Sequence, residues 1–326
     1  MSVAPNYEYE HGPSVVALGG GHGLAATLAA LRNITPRITA IVTVADDGGS
    51  SGRLRSEFGI LPPGDLRMAL AALCADDPWG RRWADVVQHR FGGAGEVGGH
   101  SLGNLMLAAL WEMHGDWVVG LDRVAELLRV VGRVLPMAAT PLEICALVQE
   151  PRTGEIREIR GQVAVATATG KVLELSLHPA DPPARPEAIS AIREAEWITI
   201  GPGSWYSSVL PHLLVPAQRQ ALIASKAKKI VLVNLDARPS NTPLGEAGGQ
   251  PPEDHLALLA AHAPGLRLDV VVADPTTVSN HRRLSEVAGE LGARVIVADL
   301  ADGLDSVHHD PIKLAAALKD VFDGRA

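Results

Sequence analysis

Apolar residues gather first into two short runs, 15–18 and 38–44, each rich in Val and Ile and bounded by turn formers. Continuous runs of this length read as strands buried on both faces. Between them Leu24, Leu28 and Leu31 recur at helical spacing, with alanines filling the gaps. Strand, helix and strand make a βαβ unit with a right-handed crossover. The same alternation returns later in the chain. Helices are predicted over 187–195, 216–227, 253–262, 280–291 and 311–322, with strands over 197–200, 230–235, 268–272 and 294–297.

The middle of the chain differs. Helical patterns reach about residue 74 and cover 79–90, about 101–114 and 119–131. Over 133–178 the period shortens, and charged residues such as Arg157, Glu158 and Glu174 alternate with apolar ones. Strands are predicted over 143–149, 156–160, 162–168 and 171–177, an antiparallel insert occupying 133–178. Residues 179–186 form a proline-rich connector. The expected fold is α/β, a Rossmann-like doubly wound and mostly parallel sheet. It forms a single domain over 14–326, behind a flexible leader at 1–13.

Three loops follow predicted strands and so share the carboxyl rim of the sheet, where ligands of such folds bind. The first, Gly19-Gly20-Gly21-His22-Gly23, opens into a helix at Leu24 and offers backbone N–H groups and a positive dipole end to an anion. The second, expected as a loop from Ala45 to Arg55, contains Asp46, Asp47, Gly48, Gly49, Ser50, Ser51, Arg53 and Arg55. Guanidinium and hydroxyl groups suit phosphate, and adjacent carboxylates suit a ribose, a cation or proton transfer. The third is Gly201-Pro202-Gly203-Ser204. Asp65 reads either as the N-cap of a helix or, with Arg67, as a group facing the same cleft. His100 and Asn104 flank a helix start where Ser101 could cap. His308-His309-Asp310 reads as a solvated loop, because adjacent side chains diverge.

Composition narrows the class. The 326 residues are 47% hydrophobic and only 4% aromatic, so the core relies on small aliphatic side chains. A net charge of −8 argues against a general nucleic-acid binder. Neither a signal peptide nor a membrane-length apolar run is present in the sequence. Cys74 and Cys145 make no metal-ligand pattern and suit a reducing compartment, so a cytoplasmic location is expected. There is no P-loop ending in Gly-Lys-Ser/Thr, no Gly-x-Ser-x-Gly elbow and no paired-Cys zinc site. Gly21-x-Gly23-x-x-Ala26 alone would also fit a nicotinamide-cofactor loop, but that reading leaves the stretch from Asp46 to Arg55 unexplained.

Taken in order, the glycine loop, Thr43-Val44-Ala45-Asp46-Asp47-Gly48-Gly49-Ser50-Ser51-Gly52-Arg53-Leu54-Arg55, Pro62-Pro63-Gly64-Asp65-Leu66-Arg67, Gly99-His100-Ser101-Leu102-Gly103-Asn104-Leu105, Arg133-Val134-Leu135-Pro136-Met137 and Gly201-Pro202-Gly203-Ser204 resemble the CofD-like/YvcK family. The resemblance implies one of two activities. The first is nucleotide-sugar binding of the UDP-N-acetylglucosamine type by a regulator of cell shape and cell-wall synthesis, linked to gluconeogenic growth. That activity needs no cofactor. The second is transfer of a phospholactyl group from a nucleotide-activated donor to a deazaflavin, with Mg2+.

On the first, the loops at Gly19–Gly23 and Gly201–Ser204 hold a diphosphate, helped by Arg53, while Asp46, Asp47 and Asn234 bind ribose, base or sugar. Leu24, Gly48, Gly49, Ser50, Arg67, His100 and Asn104 complete the implied nucleotide and phosphate set. On the second, Asp46, Asp47 and Asp65 place Mg2+ or orient the accepting hydroxyl, and Arg53 and Arg67 stabilise phosphate charge. Expected partners are a nucleotide ligand, a cell-wall or metabolic protein and a second copy of the chain, with no nucleic acid and no membrane insertion. The chain departs from the family at Pro239-Ser240-Asn241-Thr242 and an apparent insertion through Pro252, which leaves the sugar open.

Overall fold

The computed structural model describes residues 11–235, 251–303 and 306–325. Most of the leader and most of the 238–252 segment lie outside these. Ten strands are described: β1 (Val15–Gly19), β2 (Ile38–Val42), β3 (Arg133–Pro136), β4 (Glu143–Gln149), β5 (Ile156–Arg160), β6 (Lys171–His178), β7 (Trp197–Ile200), β8 (Lys228–Leu232), β9 (Val270–Ala273) and β10 (Arg294–Val297). Seven of them form one sheet in the order β10-β9-β8-β7-β1-β2-β3, with every pair parallel. β4 runs antiparallel between β5 and β6 in a separate small sheet. This is the doubly wound α/β architecture with an antiparallel insert.

The helices in the first half are α1 (Gly21–Leu31), α2 (Gly49–Phe58), α3 (Pro63–Ala72), α4 (Pro78–Gln88), α5 (Leu102–His114) and α6 (Trp117–Leu128). Those that follow are α7 (Gln162–Thr167), α8 (Pro186–Glu194), α9 (Pro211–Leu214), α10 (Pro216–Ala224), α11 (Pro252–His262), α12 (His281–Glu290) and α13 (Pro311–Phe322). Strands β1, β7 and β9 are buried along their whole length, as continuous apolar runs require. α1 packs between α3 and α13 on the sheet, presenting the buried Leu24, Leu28 and Leu31. Among the described residues no helix is long and apolar enough to cross a membrane.

Several expectations are corrected. The insert expected from residue 133 begins at Glu143, because β3 pairs in register with β2 and belongs to the main sheet. Its terminal Pro136 is tolerated there because β3 is an edge strand. The strand expected over 162–168 is helix α7. Gly161, at φ +93, turns the chain out of β5, and the Val163 N–H donates to the Asp47 carboxylate at 3.0 Å. The long second loop ends early. Gly49 at φ +49 starts α2, so Ser50, Ser51, Arg53 and Arg55 ride on a helix. Asp65 does not cap its own helix: Pro62 holds the N-cap position of α3, and Asp65 sits within its first turn.

α3 positions two of the expected site residues, and Leu66 between them is fully buried. We expect Leu66→Ala to cost about 2–5 kcal/mol of stability. Chemical denaturation checks this, and a loss under about 1 kcal/mol would mean the helix is not anchored through this side chain.

Candidate nucleotide-binding site at the strand switch

The chain runs from β1 outward to β2 and β3, then returns to β7 and runs outward the other way through β8, β9 and β10. The reversal falls between β1 and β7, and the loops that leave these two strands part around a crevice, the usual ligand position in such sheets. A cavity of about 680 Å³ fills it. This is well within the range of small-molecule sites.

Gly20, Gly21, His22 and Gly23 form one wall, with Pro202, Gly203 and Ser204 opposite. Two of these glycines are there for lack of space. A Cβ on Gly20 would stand 2.5 Å from the Asp65 carboxylate, and one on Gly23 would stand 2.3 Å from the Pro202 carbonyl oxygen. Gly21 is needed for its φ of +59. Asn234, after β8, ties the second wall down. Its Oδ1 accepts from the Gly203 N–H and its Nδ2 donates to the Gly203 C=O, both at 2.9 Å.

Asp46 and Asp65 enter from the β2 side. Burial raises the Asp46 carboxyl above its usual range, against hydrogen bonds from the Gly48 N–H and the Ser51 hydroxyl. Burial and the neighbouring Asp46 raise Asp65 to about 7, with the Gly21 N–H and the charge of Arg67 opposing. Two carboxylates facing one cavity are hard oxygen donors, and one or two such groups suffice for Mg2+ when phosphate oxygens complete its shell. Asp46 and Asp65 therefore fit a divalent cation and would hold it. The ion would supply neutralisation of phosphate charge.

The other expected site residues are placed elsewhere. Gly19 accepts at its carbonyl from Thr43 N–H and lies beneath the cavity, and Leu24 is in the core. Gly201 precedes the wall and turns at φ +74. Asp47 points to α7 as described above, and Gly48 and Gly49 carry the chain into α2. Ser50, Arg53, Arg67, His100 and Asn104 do not line the cavity but gather on its flank. Ser50 Oγ takes a hydrogen bond from Asn104 Nδ2 at 2.9 Å and lies 2.9 Å from His100 Nδ1.

Residues missed in the sequence complete the cavity: Thr43, Gln162, Ser207, Ser208, His308 and His309. Ser207 and Ser208 sit on one turn of π-helix, Trp205–Val209, capped by Ser204 Oγ and held by Thr43 Oγ1 donating to the Ser207 C=O at 3.3 Å. Such turns concentrate at functional sites. The solvated-loop expectation holds for His308, which is exposed with its ring centroid 6.5 Å from that of His22, but not for His309, which is buried, its pKa lowered to about 4 by that burial. Asp310 caps α13 instead of joining them. Below the floor, His212 Nε2 donates to the Gly19 C=O at 3.3 Å while its Nδ1 accepts from Gln218 Nε2 at 2.7 Å. Burial keeps this ring neutral, with a pKa of about 4. No local pattern marks these residues, since each is brought in by a separate crossover.

Residues 15–314 match the family model described as 2-phospho-L-lactate transferase CofD. The chain belongs to the CofD family. Among family members, a Mycobacterium leprae protein named among the gluconeogenesis factors is 52% identical over 319 residues, 96% of this chain and 87% of that protein. The gluconeogenesis factor of Bacillus subtilis is 35% identical over 324 residues, 95% of this chain and 98% of that one. The crystal structure of a UPF0052-family protein from Bacillus halodurans superposes with a TM-score of 0.79 at 34% identity, covering 94% of this chain and 98% of that chain.

The sign of the Asp65 shift makes a stability prediction. A carboxyl whose folded pKa is about 7 and whose unfolded value is 3.8 adds stability below pH 3.8 that is lost as pH rises through about 7. Asp65→Asn removes that loss. Melting curves between pH 5 and 8.5 should show the variant gaining on the wild type by several degrees as pH rises. A gap independent of pH would contradict the shift. Asn234→Asp tests the second wall, because it sets a carboxylate against the Gly203 carbonyl. We expect a fall in melting temperature of about 3–8 °C, read by scanning calorimetry.

Proposed function

We propose that this CofD-family chain binds a nucleotide sugar of the UDP-N-acetylglucosamine type in the switch-point cavity and works as a regulator rather than a catalyst. Binding would shift a conformational equilibrium read by a protein partner of cell-wall synthesis or central metabolism. The name of its relatives, gluconeogenesis factors, supports a role tied to gluconeogenesis.

One observation carries the preference for binding over transfer. Phosphoryl transfer is helped by cations at the charge that develops in the transition state, and in this cavity only a divalent ion on Asp46 and Asp65 would supply one. Among the described residues no Arg or Lys lines the cavity, and Arg53 and Arg67 stand outside it. What lines it instead are backbone N–H groups at the start of α1, hydroxyls, two amides, imidazoles and the carboxyl groups of Asp46 and Asp65. That inventory suits a diphosphate held by a helix N-terminus and a sugar held by neutral hydrogen bonds.

The transferase reading is kept alive by Asp65. A buried carboxyl with a pKa near 7 in a cleft is poised to take a proton from an accepting hydroxyl.

Calorimetric titration of the purified protein with UDP-N-acetylglucosamine and, in parallel, GDP, each with and without Mg2+, separates the two. Micromolar or tighter binding of the UDP-sugar without turnover is the expected result. No heat with the UDP-sugar sinks the regulator reading. Mg2+-dependent preference for GDP, followed by nucleotide release only when a deazaflavin acceptor is present, would establish the enzyme.

A further inference from the structure

Arg67 is an unusual arginine. It is only 7% exposed, and its Nε is fully buried with no hydrogen-bond partner. No hydrogen bond or ion pair joins its guanidinium to any described residue. Its stem is fixed, with Cγ lying 2.9 Å from where a Cβ on Gly103 would stand. Buried guanidinium groups are normally paired, because five N–H donors and a full charge are costly to leave unmatched.

The groups around it do not supply a partner. Burial lowers the pKa of Arg67 most, followed by the nearby charge of Arg90, with Asp65 opposing. Burial lowers His100 as well, with Arg53 and Arg90 adding to it and Glu57 opposing. Neither Arg53 nor Arg90 forms an ion pair among the described residues. Both instead grip a strap of chain, residues 91–99. Arg53 donates to the Glu96 and Gly98 carbonyls, at 3.4 and 2.8 Å, and Arg90 donates to the Gly99 carbonyl.

Beneath the strap the N-terminus of α5 begins at Ser101, whose Oγ is wholly buried and also unpartnered. Asn104 spends its amide N–H on Ser50, and its Oδ1 is unpartnered too, an acceptor for a water or a protonated ligand oxygen. With Ser50 accepting from Asn104 and donating to His100 Nδ1, the neutral imidazole keeps its proton on Nε2 as a further donor.

We propose that Arg67, Arg90, Arg53, His100 and Ser101 form a second anion site under the 91–99 strap, beside the switch-point cavity, for the phosphate or carboxylate group of a ligand. The site gathers positive charge around two buried groups, the Arg67 Nε and the Ser101 hydroxyl, that have no partner among the described residues. An oxyanion is the one chemistry that answers both, through charge-assisted hydrogen bonds to a guanidinium fork. The assignment stands apart from the nucleotide-sugar reading. It rests on residues that the structure places beside the cavity and not in its lining.

Tungstate, a heavy phosphate analogue, locates the site directly when soaked into crystals of the full chain. Anomalous density within hydrogen-bond distance of Arg67 is the expected result. Density confined to the Gly20–Gly23 and Ser204 walls, or none, overturns the proposal.

In solution, inorganic phosphate and acetate are titrated separately, with and without saturating UDP-N-acetylglucosamine. Binding of either anion that persists with the nucleotide sugar present supports a separate site, and the tighter anion names the ligand group. Arg67→Met, which keeps the stem against Gly103, should weaken that anion by at least about tenfold, and Arg67→Lys by less. An equal effect of both variants, or full competition by the nucleotide sugar, refutes it. Should Arg67→Met fail to fold, the tungstate position decides.

Discussion

The functional rim depends on how closely two loops approach each other where the sheet reverses. Gly23 lies against the Pro202 carbonyl, and Gly20 lies against Thr43 and the Asp65 carboxylate, with no room for a side chain at either position. This contact sets the width of the cavity and seals Asp65 on the β1 side. It also fixes the direction in which α1 leaves the sheet, and so where its N-terminal N–H groups point. His212 and Thr27 hold the same junction from below, through the Gly19, Gly23 and Gly201 carbonyls. Their polar groups are used to lock backbone carbonyls beneath the cavity.

The parallel half of the fold was legible because its strands are buried on both faces and so read as unbroken apolar runs. β7 and β10 and helix α13 fall where their patterns put them. The insert was less legible, for a physical reason. Gln162-Val163-Ala164-Val165-Ala166-Thr167 has the composition of a strand, yet the positive-φ glycine before it and the Asp47 carboxylate at its start make it a short helix. Local propensity yielded to a contact 116 residues away in sequence. Similarly, Arg133–Pro136 looks like part of the insert by proximity, but its hydrogen bonds go to β2.

The site divides in the same way. Residues carried on loops that directly follow strands, such as Gly20, Asp46, Gly203 and Asn234, were readable because chain topology alone delivers them to the rim. Ser207, Ser208, His308 and His309 reach it through a π-helical turn and a crossover from the far edge of the sheet, neither of which leaves a periodic trace. Ser50, Arg67, His100 and Asn104 were readable as polar residues near helix starts, but their position beside the cavity, not in it, follows from the packing of α2, α3 and α5.

This partition of charge has a consequence for the cavity. Its walls carry two carboxyl groups and no Arg or Lys among the described residues, which would repel a diphosphate if both acids were ionised. Burial works against that outcome. It raises Asp65 to about 7 and raises Asp46 as well, so near neutral pH a substantial share of Asp65 is protonated and uncharged. A protonated carboxyl donates a hydrogen bond where a carboxylate would repel. The desolvation that makes Asp65 costly to ionise therefore helps an acidic cavity accept an anion, while the guanidinium groups stay on the flank.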